Sequence, residues 1–457
     1  MGTCGYNRYS GTYGYGTFNT SRLFDLPRTR KVGIFTHTFT LDIHRIFLYF
    51  TKAKIRKEMK NSTLVLFENV QFIYELRLAQ LELKSFNIEF ELSPRFREFI
   101  VINEPQSWET LRKRLAYFKL VNGFYSDYFF IIQKNRTKSI NQYLTHWIYP
   151  YKGKFHPQMI RALLNIIGLK SGDIVLDPFI GSGTTAIEAQ LLGINCIGID
   201  ISPLCVLQSK VKTESIYAFK EIVNMKAEIL KHTKINLFND KTIDSVIDEI
   251  EDEKVKNFFL MAKLVAISDN ARRRKDITKS FVRNLELMIA SVKDYIEIVE
   301  QLNLKLGKVD IREGDARALD LGNESVDGII TSPPYSIALD YVQNDAHALK
   351  SLGFEPRELR EKFIGVRGKN REKIELYNED MKMSLREMYR VLKPGKYAVL
   401  IIGNAKYQGK EIKTVEFIIE NAEEIGFELV ENIDKIIFGL YNVMQKENIL
   451  IFKKRNG

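Results

Sequence analysis

Ser332-Pro333-Pro334-Tyr335 follows directly on the apolar run Asp327–Thr331 and is the densest piece of chemistry in the chain. Two successive prolines fix φ and carry no N–H, so the carbonyls here are free to accept. Acceptors held that rigidly suit the two protons of a conjugated exocyclic amine, because taking both restores lone-pair character to the nitrogen. A second concentration lies at residues 173–188, where Asp-Ile-Val-Leu-Asp leads into Pro-Phe-Ile-Gly-Ser-Gly-Thr-Thr. A strand ending in Asp177, a turn through Gly181 and Gly183 and a helix opening at Thr184 let the backbone approach a ligand closely. No GKS or GKT closes this loop and it is not GxGxxG, so it is not the phosphate-binding loop of nucleotide hydrolases. Asp200 ends the next apolar run and Asp315 follows a third. A lone acid at a strand tip is often only a helix cap. Three on successive strands describe a nucleoside-shaped crevice, with Asp200 facing a ribose diol and Asp315 an adenine amino group.

The elements that must position these groups alternate. Strands are expected at 173–177, 195–200, 308–313, 327–331 and 396–402, separated by helical stretches, which predicts an open, mostly parallel, doubly wound α/β sheet. Residues 428–438 and 448–453 follow each other closely and should close the sheet as an antiparallel pair. Between the second and third strands, residues 212–306 are charged, helical in pattern and beyond what the alternation needs. They are expected to form a helical insertion. Ahead of this domain, placed at 146–457, residues 59–145 read as a small α+β domain with strands at 63–67, 88–92 and 99–102 and helices at 70–86 and 107–117. Residues 1–58 read as a flexible basic segment, Gly/Tyr/Ser/Thr-rich at 2–17, and Met59 is an alternative start to Met1.

Composition narrows the setting. The chain has 457 residues, with 68 Lys plus Arg against 57 Asp plus Glu. The resulting +11 favours polyanionic partners, nucleic acid first. No apolar run approaches the roughly 18–20 residues that span a bilayer, and the first residues lack the order of a signal peptide. A cytoplasmic location without membrane association is expected. Cys4, Cys196 and Cys205 form no CxxC pair, so neither a disulfide framework nor a metal site is expected.

Together these motifs resemble the S-adenosylmethionine-dependent methyltransferases, in particular the N4/N6 DNA methyltransferase family, which acts on amino groups of nucleic-acid bases. DPFIGSGTT looks like the family's FxGxG cofactor loop, matched by Phe179, Gly181 and Gly183 and flanked by Asp177 and Thr184. Lys154-Phe155-His156-Pro157-Gln158 looks like the segment that covers the cofactor's methionine end, through Phe155 and His156. The resemblance puts Asp200 with Ile201 at the ribose, and Asp315 with Ala316 at the adenine. It implies a Rossmann-like methyltransferase sheet and S-adenosyl-L-methionine as cofactor. Catalysis would fall to Ser332, Pro333, Pro334 and Tyr335, with Tyr335 stacking on a base turned out of its helix. Ser in the first place is typical of the cytosine-N4 subfamily, whereas Asp or Asn is typical of adenine-N6 and guanine-N2 enzymes. Cytosine-C5 chemistry is excluded, since it needs a thiolate and no cysteine follows a proline here.

The resemblance continues through Asp340 and Tyr341, at the base pocket, to Arg367 and Lys369, at phosphates. Within the insertion, Arg272, Arg273, Arg274 and Lys275 form the sharpest basic cluster and are the other candidate nucleic-acid contacts. DNA is thus the expected substrate and a cognate restriction endonuclease a candidate partner. The alternative is tRNA: residues 72–86 faintly resemble the leading domain of tRNA guanine-N2 methyltransferases, which also use an xPPY motif.

Overall fold

A computed structural model describes residues 62–232, 243–335, 340–368, 372–407, 410–438 and 444–456. It contains two principal sheets. The first joins β1 (Thr63–Leu66), β2 (Phe90–Leu92), β3 (Glu98–Val101), β4 (Phe118–Val121) and β5 (Phe124–Tyr125) in the antiparallel order β2-β3-β1-β4-β5. Helices α1 (Ile73–Ser85), α2 (Trp108–Arg114) and α3 (Asp127–Gln133) accompany it. Asn122 and Gly123, both at positive φ, turn the chain between β4 and β5, the Asn-Gly turn that matches strand twist.

The second sheet is the larger. β6 (Ile174–Asp177), β7 (Asn195–Asp200), β8 (Val309–Glu313), β9 (Val326–Thr331) and β10 (Leu392–Gly403) run parallel in the spatial order β8-β7-β6-β9-β10. Two further strands form the pair β11 (Ala405–Tyr407) and β12 (Lys410–Ile412). β13 (Phe427–Phe438) and β14 (Met444–Lys454) then complete the large sheet, β14 antiparallel to both β10 and β13. This is the expected doubly wound, Rossmann-like α/β sheet with its antiparallel end. Parallel strands are covered on both faces, so β10 buries Ala398, Val399, Leu400, Ile401 and Ile402 in succession. The order reverses between β6 and β9, and such a reversal opens a crevice beyond the carboxyl ends of the strands.

Helices α4 (Pro157–Ile166), α5 (Thr184–Leu191) and α6 (Pro203–Glu214) flank β6 and β7. Between α6 and β8 stand α7 (Phe219–Lys231), α8 (Ile243–Asp248), α9 (Glu253–Arg273) and α10 (Ile277–Gln301). α10 buries Phe281, Leu285, Met288, Val292, Tyr295 and Ile298, one stripe at three- and four-residue spacing. Asp252 and Asp276 cap α9 and α10 by accepting from the first free N–H groups. The insertion's core is continuous with Ile148, Tyr149, Val342 and Leu349, so it braces the segment that follows β9. That segment carries α11 (Tyr341–Asn344), α12 (Ala346–Ser351) and α13 (Pro356–Arg360), and α14 (Glu372–Val391) and α15 (Thr414–Ile425) pack around β10 and β13.

The small sheet shares a hydrophobic core with the large sheet through Ile160, Leu163 and Leu164 of α4. Glu82 of α1 is fully buried there and accepts from Ala116 N–H (2.8 Å) and Asn165 Nδ2 (2.7 Å). Burial raises it to about 7. Among the described residues no helix is long and apolar enough to cross a membrane.

Candidate active site

Asp177, at the tip of β6, joins the two motifs. Its fully buried carboxylate accepts from Thr331 Oγ1 (2.6 Å) and Phe179 N–H (3.2 Å) on one oxygen and from Thr185 Oγ1 (2.7 Å) on the other. Thr331 is the residue before Ser332, so one side chain fixes the end of β9 against the loop after β6. Burial pushes Asp177 up to about 6 despite these donors.

The loop is held from both sides. Gly181 N–H donates to Asp200 Oδ2 and Ser202 N–H to Asp200 Oδ1, each at 2.9 Å. From α6, Gln208 Nε2 reaches the Gly181 carbonyl (2.9 Å) and buried Lys212 Nζ the Ser182 carbonyl (2.8 Å). Gly183 sits at φ +76°, and a Cβ there would lie 2.8 Å from Ser209 Oγ and 3.1 Å from Ser209 Cα. Both the handedness and the space require glycine. Burial pushes Asp200 up to about 6.

A cleft of about 960 Å³ opens at the strand tips and brings together Phe155, Phe179, Gly181, Asp200, Ile201, Asp315, Ala316, Ser332 and Pro334. Tyr341, expected at the base pocket, lines it too, while Asp340 pairs with Arg360. Residues without a sequence expectation join the wall, among them Tyr151, Gly153, Cys205, Val342, Asp345, Leu349, Phe363 and Ile364. Tyr151 stacks beside Tyr341 with ring centroids 6.1 Å apart, and the Tyr149-Pro150-Tyr151 run was the available signal. Asp315 is shared with Arg317, whose guanidinium forks onto it (Nε 2.9 Å, Nη2 2.6 Å). Burial opposes ionisation of Asp315, but Arg317 overrides it and holds the carboxyl below its ordinary value. Arg317 also reaches Asp380 at 2.9 Å.

Other expected residues lie off the cleft. Asp177, Gly183, Thr184 and Pro333 form its buried support. Tyr335 is half-buried behind it, its hydroxyl donating to Glu447 Oε1 of β14 (2.6 Å), and Lys435 Nζ of β13 holds the other oxygen at 2.5 Å. His156 lines a separate, open cleft with Asn69, Lys154 and Lys435, which meets the first only at Phe155. Burial lowers His156 to about 3.

The expected phosphate contacts divide. Arg272 turns inward to the Pro150 carbonyl (2.5 Å) and Asp345 (2.6 Å), bracing the cleft wall. Arg367 forks onto Asp380, itself only 1% exposed. These two guanidiniums serve internal carboxylates, because each faces a buried acid that needs a counter-charge. Arg273 and Lys275 pair with Asp269 at 3.2 and 3.0 Å, and Arg274 ends α9 in the left-handed conformation. Lys369 lies outside the described residues. Among the described residues no cluster of His, Cys, Asp and Glu could hold a metal ion.

Comparison with known proteins gives this arrangement a context. Residues 43–210 match the N6/N4 DNA methylase family. The chain is similar to this family over that stretch. The matched stretch contains the cofactor loop and ends before Ser332. Type II methyltransferase M.MjaII of Methanocaldococcus jannaschii is 39% identical over 134 residues, 29% of this chain and 24% of that protein. Type II methyltransferase M.BsoBI of Geobacillus stearothermophilus is 29% identical over 282 residues, 48% of this chain and 55% of that protein. A tRNA (guanine(10)-N2)-dimethyltransferase of M. jannaschii is 32% identical over 119 residues, 26% of this chain and 32% of that protein. The chain thus spans about a quarter and about half of the first two relatives.

The cofactor is S-adenosylmethionine, and the cleft fits it. Asp200 offers acceptors at the wall for two hydroxyls, and Ile201, Val342, Leu349 and Phe363 supply apolar surface for a purine. A Cβ on Gly181 would stand 3.3 Å from the Tyr151 ring and fill the space between.

Proposed function

We propose that this protein methylates DNA, transferring a methyl group from S-adenosylmethionine to the exocyclic N4 amine of a cytosine within a short recognition sequence. The observation that carries the reading is Ser332-Pro333-Pro334 at the tip of β9, tied through Thr331 and Asp177 to the cofactor loop. Bound S-adenosylmethionine supplies a methyl group activated by a positively charged sulfur. Ser332 oxygen and the Pro333 carbonyl accept the amine's two protons and orient its lone pair toward the cleft. Most of the rate then comes from holding two reactants in line, since an oriented pair gains orders of magnitude over free encounter. Tyr335, fixed by Glu447, packs behind the cleft and steadies the motif from there, whereas the sequence resemblance implies stacking on the base. Phe155, Phe179 and Tyr341 exclude water around them.

No nucleophile on the protein is needed. Cys205 lines the cleft, but burial raises its thiol well above the ordinary range, which disfavours the thiolate that carbon methylation uses. Ser332 supports cytosine over adenine, and the M. jannaschii tRNA relative is the observation favouring the second reading, guanine-N2 in tRNA.

The deciding experiment incubates the full chain with labelled cofactor and either mixed-sequence duplex DNA or tRNA, then digests the product to nucleosides. N4-methylcytosine from DNA is expected. N6-methyladenine would overturn the choice of base, and N2-methylguanine from tRNA would overturn the substrate.

A further inference from the structure

A third cleft, about 1350 Å³, runs between the 134–150 segment and the insertion helices α9 and α10. Five cations line it, Arg136, Lys138, Arg273, Lys275 and Arg283, against one carboxylate, Asp269. They come from three separate stretches of chain, so the positive charge is spread along the walls rather than gathered at a point. Asp269 does not neutralise them all. It accepts from Ser280 Oγ (2.7 Å) and Asn284 Nδ2 (3.2 Å) besides Arg273 and Lys275. Arg136 forks onto Asp294 below the rim (2.5 and 2.8 Å) and stays exposed. Lys138 and Arg283 are exposed and have no carboxylate partner among the described residues.

The groove and the cofactor cleft share a wall. Tyr149 lines the groove, and its hydroxyl donates to Asp345 at 2.8 Å. Asp345 lines the cofactor cleft, where Arg272, the neighbour of Arg273 on α9, also holds it. An extended polyanion lying in the groove therefore runs one side chain away from the wall of the cofactor cleft.

We propose that this groove holds the sugar–phosphate backbone of duplex DNA flanking the target base. The proposal rests on the reading of the protein as a DNA methyltransferase and names the surface that would position its substrate. Backbone contacts of this kind give affinity and register without reading sequence. Each phosphate neutralised releases counterions, so the logarithm of the binding constant falls with the logarithm of salt by about 0.9 per contact.

The test measures binding of a fluorescently labelled mixed-sequence duplex by anisotropy, from about 50 to 200 mM salt, with no turnover required. The Lys138→Ala/Arg283→Ala double variant is compared with wild type and with Lys84→Ala/Lys220→Ala, which removes two exposed charges elsewhere. Calorimetry with S-adenosylmethionine confirms that each variant is folded. The groove variant is expected to lower the salt slope by about 1.8 and to weaken DNA binding several-fold, with cofactor affinity unchanged. An unchanged slope, or an equal drop in the control variant, would overturn the proposal. Wild-type binding to labelled tRNA but not to the duplex would overturn DNA as the occupant. Failure to methylate any DNA would undo the proposed function yet leave the groove result standing, so the two outcomes are distinguishable.

Discussion

The two halves of the cleft are built differently. On the cofactor side the loop, its acid and its supporting helix come from residues 177–212, and the loop backbone is tied within that stretch: Asp200 to Gly181 and Ser202, Gln208 and Lys212 to the loop carbonyls. On the acceptor side the parts are remote in sequence. Ser332 and Pro334 stand at the end of β9, Tyr335 is fastened by Glu447 more than a hundred residues later, and the roof at Tyr341–Phe363 is braced by Arg272 of the insertion. The cofactor pocket is a local construction that a short motif can encode. The Ser332 side is assembled by tertiary contacts, which no short motif encodes.

This contrast breaks most sharply at Ser332. Ser332→Ala should lower kcat by at least about a hundredfold, by analogy with losing one aligned polar group at a reacting atom, while calorimetry shows cofactor affinity unchanged. Asp200→Asn should do the reverse, weakening cofactor binding by about 1.5–3 kcal/mol with kcat at saturation largely kept. The pH dependence has a definite sign. Asp200 sits at about 6 in the folded protein, so acidification through that value protonates it and cofactor affinity falls. The Asn variant should be flat over the same window.

Smaller effects sharpen the distinction further. Gly183→Ala carries a left-handed penalty of about 1–2 kcal/mol plus the clash with Ser209, and should lower both unfolding stability and cofactor affinity. Gly123→Ala, at φ +83° with nothing within 4 Å, should show only the conformational part in denaturant titration. Glu447→Gln should reduce kcat several-fold, equivalent to about 0.5–1.5 kcal/mol for one hydrogen bond, and leave cofactor affinity alone. Combining it with Tyr335→Phe should add little beyond Tyr335→Phe alone, since the first weakens and the second removes the same bond.

What could be read from the sequence follows the same division. The parallel strands and the acids at their tips were legible because each is a short apolar run ending in a turn, a purely local pattern. The closing pair β13–β14 was legible for the same reason. β4 and β5 escaped, although Asn122-Gly123 is a strong hairpin signal, because the run after Tyr117 is short and β5 has two residues. The roof residues Asp345, Leu349 and Phe363 escaped for a different reason: nothing nearby in sequence says that they face Asp200. Arg272 shows the limit of charge patterns. Consecutive arginines on a helix point about a hundred degrees apart, so Arg272 reaches Asp345 while Arg273 faces the basic groove.

Asp177 grips Thr185 and Thr331 through space, across a gap of nearly 150 residues along the chain. Whatever is spliced in between β6 and β9, the donor's cradle and the acceptor's grip keep their separation. Insertions of any size can therefore be exchanged at the β7–β8 connection while the two motifs stay the same distance apart.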